Sequence, residues 1–216
     1  MAAIDPRARN VVAAPVVRAP AQRGITMIEV LVSLLIIVLG LLGLVGLQVR
    51  MQQAEFESYQ RAQALVLMYD MVDRIYAHRV TASCFRFTAA DGTGWLGESG
   101  ISTPACAVGT ANDNVQAQAA MSEWSSTLQG AAETKAGASA GAMVGGRGCV
   151  YYNAASELLD ATGATIPGTG LYLVSVVWQG LSDTFAPAVN CANGQYTGGE
   201  TRRRLASTSF RLAKLK

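Results

Sequence analysis

Residues able to do chemistry are few and far apart in this chain. Its one histidine, His78, stands beside Arg79 at the end of a long proline-free stretch. A lone histidine at the end of a helix more often serves the helix dipole or solvent than catalysis. No GxSxG, HExxH or Walker sequence occurs, and the carboxylates are scattered. No catalytic, metal-ligating or cofactor-binding residue is therefore expected, and enzyme activity is not expected. Four cysteines remain: Cys84, Cys106, Cys149 and Cys191. Their spacings fit neither a zinc knuckle nor a CxxC redox pair. In an oxidising compartment an even count reads as two disulfides, with three pairings open. The last candidate is Glu29, the only charge between residues 25 and 47.

That carboxylate sits in an element of recognisable length. Residues 25–47 form an apolar run that would make roughly 34 Å of helix at about 1.5 Å per residue. A hydrocarbon core is about 30 Å thick, so the run is long enough to cross it. No later segment competes in length and apolarity. The net charge of +2 hides an asymmetry. Residues 1–24 carry Arg7, Arg9, Arg18 and Arg23 against Asp5, and the remainder holds one more acidic than basic residue. The basic segment precedes the apolar run, which places the N-terminus in the cytoplasm and residues after 47 on the far side of the membrane. The body has no basic bias that would draw it to nucleic acid.

An ordinary secretory signal is cut after its apolar region, at small residues spaced A-x-A. Here Gln48, Arg50 and Gln52 follow the run and no such pattern appears. The small residue beside a charge is Gly24, ahead of the run. A cut there would leave the apolar segment in the mature protein as its new N-terminus, with a purpose beyond export.

The junction "RG|ITMIEVLVSLLIIVLGLLGL" resembles the leader junction of type IV prepilins and pseudopilins. The resemblance implies that prepilin peptidase cuts after Gly24 on the cytoplasmic side and methylates the amine of Ile25, where the family often has Phe. Glu29 matches the family's glutamate, fifth after the cut. It implies a register role, in which Glu29 meets the N-terminal amine of a neighbouring subunit in the core of a filament. The physics agrees. An unpaired acid in a membrane-spanning helix costs about 2.5–3.5 kcal/mol near the centre and less toward an end. An apolar core penalises either member of such a pair when the other is missing.

The expected organisation is a leader over residues 1–24, the membrane or filament-core half of a spine helix over 25–47, its amphipathic half over 48–79, and a globular periplasmic head over 80–216. In the amphipathic half Phe56, Tyr59, Ala62, Leu65 or Val66, Tyr69, Val72 and Ile75 or Tyr76 recur at three- to four-residue steps. This stripe is expected to be core packing. Gly40, Gly43 and Gly46 each lower helix propensity by about 1 kcal/mol. They suit either local melting on assembly or close packing of small residues. The head divides into a loop over 84–112, a helix over 113–134 capped by Asp113 or Asn114, and antiparallel strands within 142–216. Met121, Trp124 and Leu128 should share one face of that helix. "GCVYYN", "LYLVSVVWQ" and "TRRRLASTSFRLAKL" read as the strands. The fold class is α+β, a long helix carrying a small head with a second helix and an antiparallel sheet.

Within the class, "GLLGLVGLQ" and "YDMVDRIYAHR", with Asp70, Asp73, Arg74 and Arg79, resemble minor pilins of the PilV kind (type IV pilus modification proteins). That resemblance favours the pairs Cys149–Cys191 and Cys84–Cys106. It implies a low-abundance subunit that helps a type IV pilus assemble, and so adhesion, twitching motility or DNA uptake. The implied partners are prepilin peptidase, other minor pilins and the major pilin, the inner-membrane assembly platform and membrane lipid. Nucleic acid is not expected as a partner. The implied location is the inner membrane and then the pilus. Two alternatives stand beside this reading, a minor pseudopilin of a type II secretion system and a membrane-tethered periplasmic binding domain. The one basic cluster is Arg202, Arg203 and Arg204. Neighbours on a strand alternate faces, so it does not make one patch. It is expected to be a solvated strand start that discourages edge pairing.

Overall fold

The computed structural model describes residues 24–131, 134–139 and 143–213. The expected leader, apart from Gly24, lies outside the described residues. The chain divides into two compact units, Met1–Gln48 and Val49–Lys216.

Helix α1, Met27–Ala77, runs from the first unit into the second. In the first unit its side chains are exposed, and its apolar stretch is long and apolar enough to cross a membrane. The helix passes through Gly40, Gly43 and Gly46 without a break, and a Cβ at any of the three would meet open space.

The second unit is an α+β head. The last part of α1 is followed by a 3-10 turn at Arg79–Phe85, helix α2 at Ala111–Leu128, a two-stranded hairpin of β1 (Thr134–Lys135) and β2 (Ala138–Ser139), and three longer strands. These are β3 (Arg147–Asn153), β4 (Leu171–Gln179) and β5 (Arg203–Arg211). They form an antiparallel sheet in the order β3-β4-β5, with Cys149 opposite Ser175 and Ser175 opposite Ser207. The near-continuous apolar run of β4 follows from its central place, because both of its faces are covered. Tyr172, Val174, Val176 and Trp178 enter the main core with α1 and α2, while Val177 joins Cys149, Cys191, Ala192 and Tyr196 in a second cluster.

Two expectations are corrected. The buried face of α1 is not the aromatic stripe but Gln60, Ala64, Met68, Met71, Val72 and Ile75. Of the stripe only Val72 and Ile75 are buried, while Val66 is 68% and Tyr69 56% exposed. This half of α1 carries apolar residues on two opposite sides. The side with alanine and unbranched methionines fits the irregular space around Trp124. The cap of α2 is Thr110, whose hydroxyl accepts from the amide of Asp113 at 3.2 Å. The Asp113 carboxylate accepts in return from the Thr110 amide at 3.0 Å. Asp113 is thus the third residue of a capping box, not the cap. The helix begins two residues earlier than expected and ends at Leu128.

Trp124 holds the layers together. It is fully buried, and its indole N–H donates to the carbonyl of Leu67 on α1 at 2.8 Å. On its other side it lies against Gly148 of β3, where a Cβ would stand 2.0 Å from the ring. Trp124→Ala should therefore destabilise the head by about 3–5 kcal/mol through lost contacts, a cavity and the lost indole hydrogen bond. Urea unfolding of the detergent-solubilised chain checks this. A loss under about 1 kcal/mol would mean the layers do not depend on this ring.

Candidate processing and assembly site

Gly24, Ile25 and Thr26 precede the first helical residue and take no regular structure. Ile25 is 75% exposed. The helix begins when the Thr26 carbonyl accepts from the amides of Glu29 at 3.0 Å and Val30 at 3.3 Å. The Gly24–Ile25 bond is thus exposed and ahead of the helix, where a protease can hold it extended. A Cβ added at Gly24 would meet nothing within 4 Å. This chain's own fold does not require glycine there.

Glu29 lies in the first turn of α1. A carboxylate there is favoured by the unsatisfied amides of the helix start. It is exposed and forms no ion pair among the described residues. Its neighbours in sequence are Ile25, just ahead of the helix, and Met27, Ile28, Val30, Leu31 and Val32 on it, all exposed apolar side chains.

The cysteines are spent structurally. Cys84 is bonded to Cys106, and Cys149 to Cys191, leaving no free thiol. The first bond closes the segment between the 3-10 turn and α2, and the second ties β3 to the long loop before β5. Closing loops of 22 and 42 residues stabilises a domain by roughly 2–4 kcal/mol each.

The run Arg202, Arg203 and Arg204, which leads into β5, behaves differently from expectation. Arg203 is only 1% exposed, so it is no solvated strand start. It pairs with Glu200 and donates to the carbonyls of Val189 at 2.6 Å, Cys191 at 3.2 Å and Pro187 at 3.2 Å. A planar fork of five donors suits that collection of orphaned loop carbonyls. Arg202 pairs with Asp183, and Arg204 pairs with Glu57 of α1. All three guanidinium groups are engaged within the head. His78 caps the 3-10 turn with its carbonyl, which accepts from the Thr81 amide at 3.0 Å, and its ring stacks on Phe85.

The exposed side of α1 in the head was not anticipated. Tyr59, Val66 and Tyr69 are more than half exposed, and Ala62 is exposed between them. Their spacing of three, four and three is the seam spacing of packed helices.

Residues 20–45 match a family model described as the prokaryotic N-terminal methylation motif. No curated protein and no solved structure matches the chain. The matched segment contains Gly24, Ile25 and Glu29 and the opening of α1, and it supports a pilin-like class for this chain.

Proposed function

We propose that the chain is a minor pilin subunit of a type IV pilus, contributing to the start of pilus assembly. The observation that carries this reading is the exposed Gly24–Ile25 junction set directly ahead of a membrane-length helix, inside the matched methylation motif. Prepilin peptidase removes residues 1–24 and methylates Ile25. The first half of α1 then holds the subunit in the inner membrane, with the head in the periplasm, until it enters a filament. Glu29 meets the amine of a neighbouring subunit there. The exposed seam of Tyr59, Ala62, Val66 and Tyr69 offers a second stretch for another pilin helix to pack on. The partners are other minor pilins, the major pilin and the assembly platform.

Intact mass and N-terminal sequencing of the chain extracted from membranes of a piliated host test the reading. The expected product starts at Ile25 and carries one methyl group on its amine. Retention of residues 1–24 would sink the proposal.

A further inference from the structure

Five arginines of the head pair with carboxylates: Arg74 with Asp70 and Glu123, Arg147 with Glu98, Arg202 with Asp183, Arg203 with Glu200 and Arg204 with Glu57. Arg79 and Arg86 do not pair with a carboxylate among the described residues. Both line one cleft of about 500 Å3. The cleft lies between the 3-10 turn that follows α1, the turn before β4 and the end of β5. Ser83 lines it beside them, and no Asp or Glu among the described residues does.

Arg86 is held in place rather than left to solvent. Its guanidinium carbon stacks 3.4 Å from the ring centroid of Tyr152, and its Nε donates to the hydroxyl of Tyr172 at 3.0 Å. Tyr172 is fully buried. The Tyr152 hydroxyl is fixed in turn, since it donates to Glu157 and accepts from the Gly170 amide at 2.9 Å. Glu157, the nearest acid to this cluster, also accepts from the Gly168 amide at 2.8 Å. One edge of the Arg86 fork is therefore used for positioning, and its terminal Nη donors have no protein acceptor among the described residues. A fork whose orientation is already fixed loses little freedom on meeting an oxyanion. Arg79, which is exposed and lies 5.9 Å from the Tyr76 centroid, supplies a second guanidinium on the same cleft.

The rest of the lining narrows the ligand. Val80, Pro167 and Leu212 give the cleft an apolar wall, and its volume exceeds that of one inorganic oxyanion. Two guanidinium groups suit a tetrahedral phosphate, which can accept from donors in more than one plane, better than a planar carboxylate. We propose that this cleft binds an organic phosphate, its phosphate held by Arg79 and Arg86 and its carbon part laid on Val80, Pro167 and Leu212. The phosphate could be borne by a soluble monoester or by a lipid headgroup, and the two are separable.

The test is calorimetric titration of the full processed chain in dodecyl maltoside. The probes are phenyl phosphate, benzoate and glycerophosphoglycerol, a lipid headgroup without its chains. Phenyl phosphate should bind saturably, with benzoate at least about tenfold weaker. Arg79→Gln, which breaks no hydrogen bond among the described residues, should weaken phenyl phosphate at least about tenfold, as expected when a charged hydrogen bond is lost. Arg86→Lys should weaken it too, with a melting temperature measured alongside to exclude a folding defect. Glycerophosphoglycerol weaker than phenyl phosphate supports a soluble monoester, and equal or tighter binding supports a headgroup. No saturable binding, benzoate equal to phenyl phosphate, or an unchanged Arg79→Gln would each overturn the proposal.

Discussion

A chain carrying Gly24→Val should keep its first 24 residues and accumulate unprocessed in the inner membrane. The substitution separates two demands on this position. The fold makes none, because Gly24 precedes α1, and a Cβ there would meet nothing within 4 Å. A valine therefore leaves stability and insertion unchanged, since the apolar run after it is intact. Any effect has to come from the peptidase, whose site must bring its reacting groups against the bond between Gly24 and Ile25. A branched side chain beside the scissile bond displaces that bond, and a displacement of about 1 Å from reacting geometry can lower a rate about 100-fold. Anti-head immunoblotting of membranes should show one slower band in place of the processed one. Normal processing of Gly24→Val would mean that glycine is not read at this junction, and the cut-site assignment would fall. The second half of the prediction is equally sharp. The uncut chain should still fold its head, so Cys149–Cys191 and Cys84–Cys106 should form in it as in the wild type.

The start of the chain was readable because its signals are local. A long apolar run, one carboxylate and a glycine before it need no knowledge of the fold. β4 was readable for a related reason, since a strand covered on both faces shows as an unbroken apolar run. The buried face of α1 was not readable in the same way. Periodicity groups residues by side, but Tyr59, Val66 and Tyr69 on one side and Ala64, Met68 and Met71 on the other both keep helical spacing. Choosing between them requires knowing that Trp124 reaches the backbone of Leu67. Large side chains suggested a core, and small or flexible ones built it.

Arg203 marks a second kind of limit. Its partners, the carbonyls of Pro187, Val189 and Cys191, are backbone groups that any residue would supply. Nothing in the run "TRRRL" says that its middle arginine is buried while its neighbours pair with Asp183 and Glu57. The Arg86 cluster was hidden likewise, because Arg86 stands far in sequence from Tyr152, Glu157 and Tyr172. The cap of α2 is different. Thr110 and Asp113 stand at capping-box spacing, and the signal was present but read one turn late.

Glu29→Leu should give a processed, membrane-inserted subunit that fails to enter complexes with other pilins. Insertion should be intact or improved, because the change removes a charge from an apolar helix. Cleavage should be intact, because Gly24 and Ile25 are unchanged and Glu29 lies beyond them in the first turn of α1. The first turn loses a favourable carboxylate, a loss of only about 0.3–1 kcal/mol. That is too small to unravel a 51-residue helix. Any larger effect must come from outside the chain. In a filament core the amine of a neighbouring subunit would enter apolar surroundings without its carboxylate, and a buried charge stripped of its partner is penalised by about 3–5 kcal/mol. That corresponds to more than a hundredfold in an assembly equilibrium. Pull-down of the tagged variant from detergent extracts should therefore recover far less of the other pilins, and surface pili should be fewer. A helix that served only as a tether would give wild-type recovery and wild-type pilus counts. That result would remove the register role of Glu29 while leaving processing at Gly24 untouched. Glu29→Asp separates charge from reach. It keeps the carboxylate but shortens it by one methylene, so recovery between that of wild type and Glu29→Leu is expected if a direct contact with the amine sets the register.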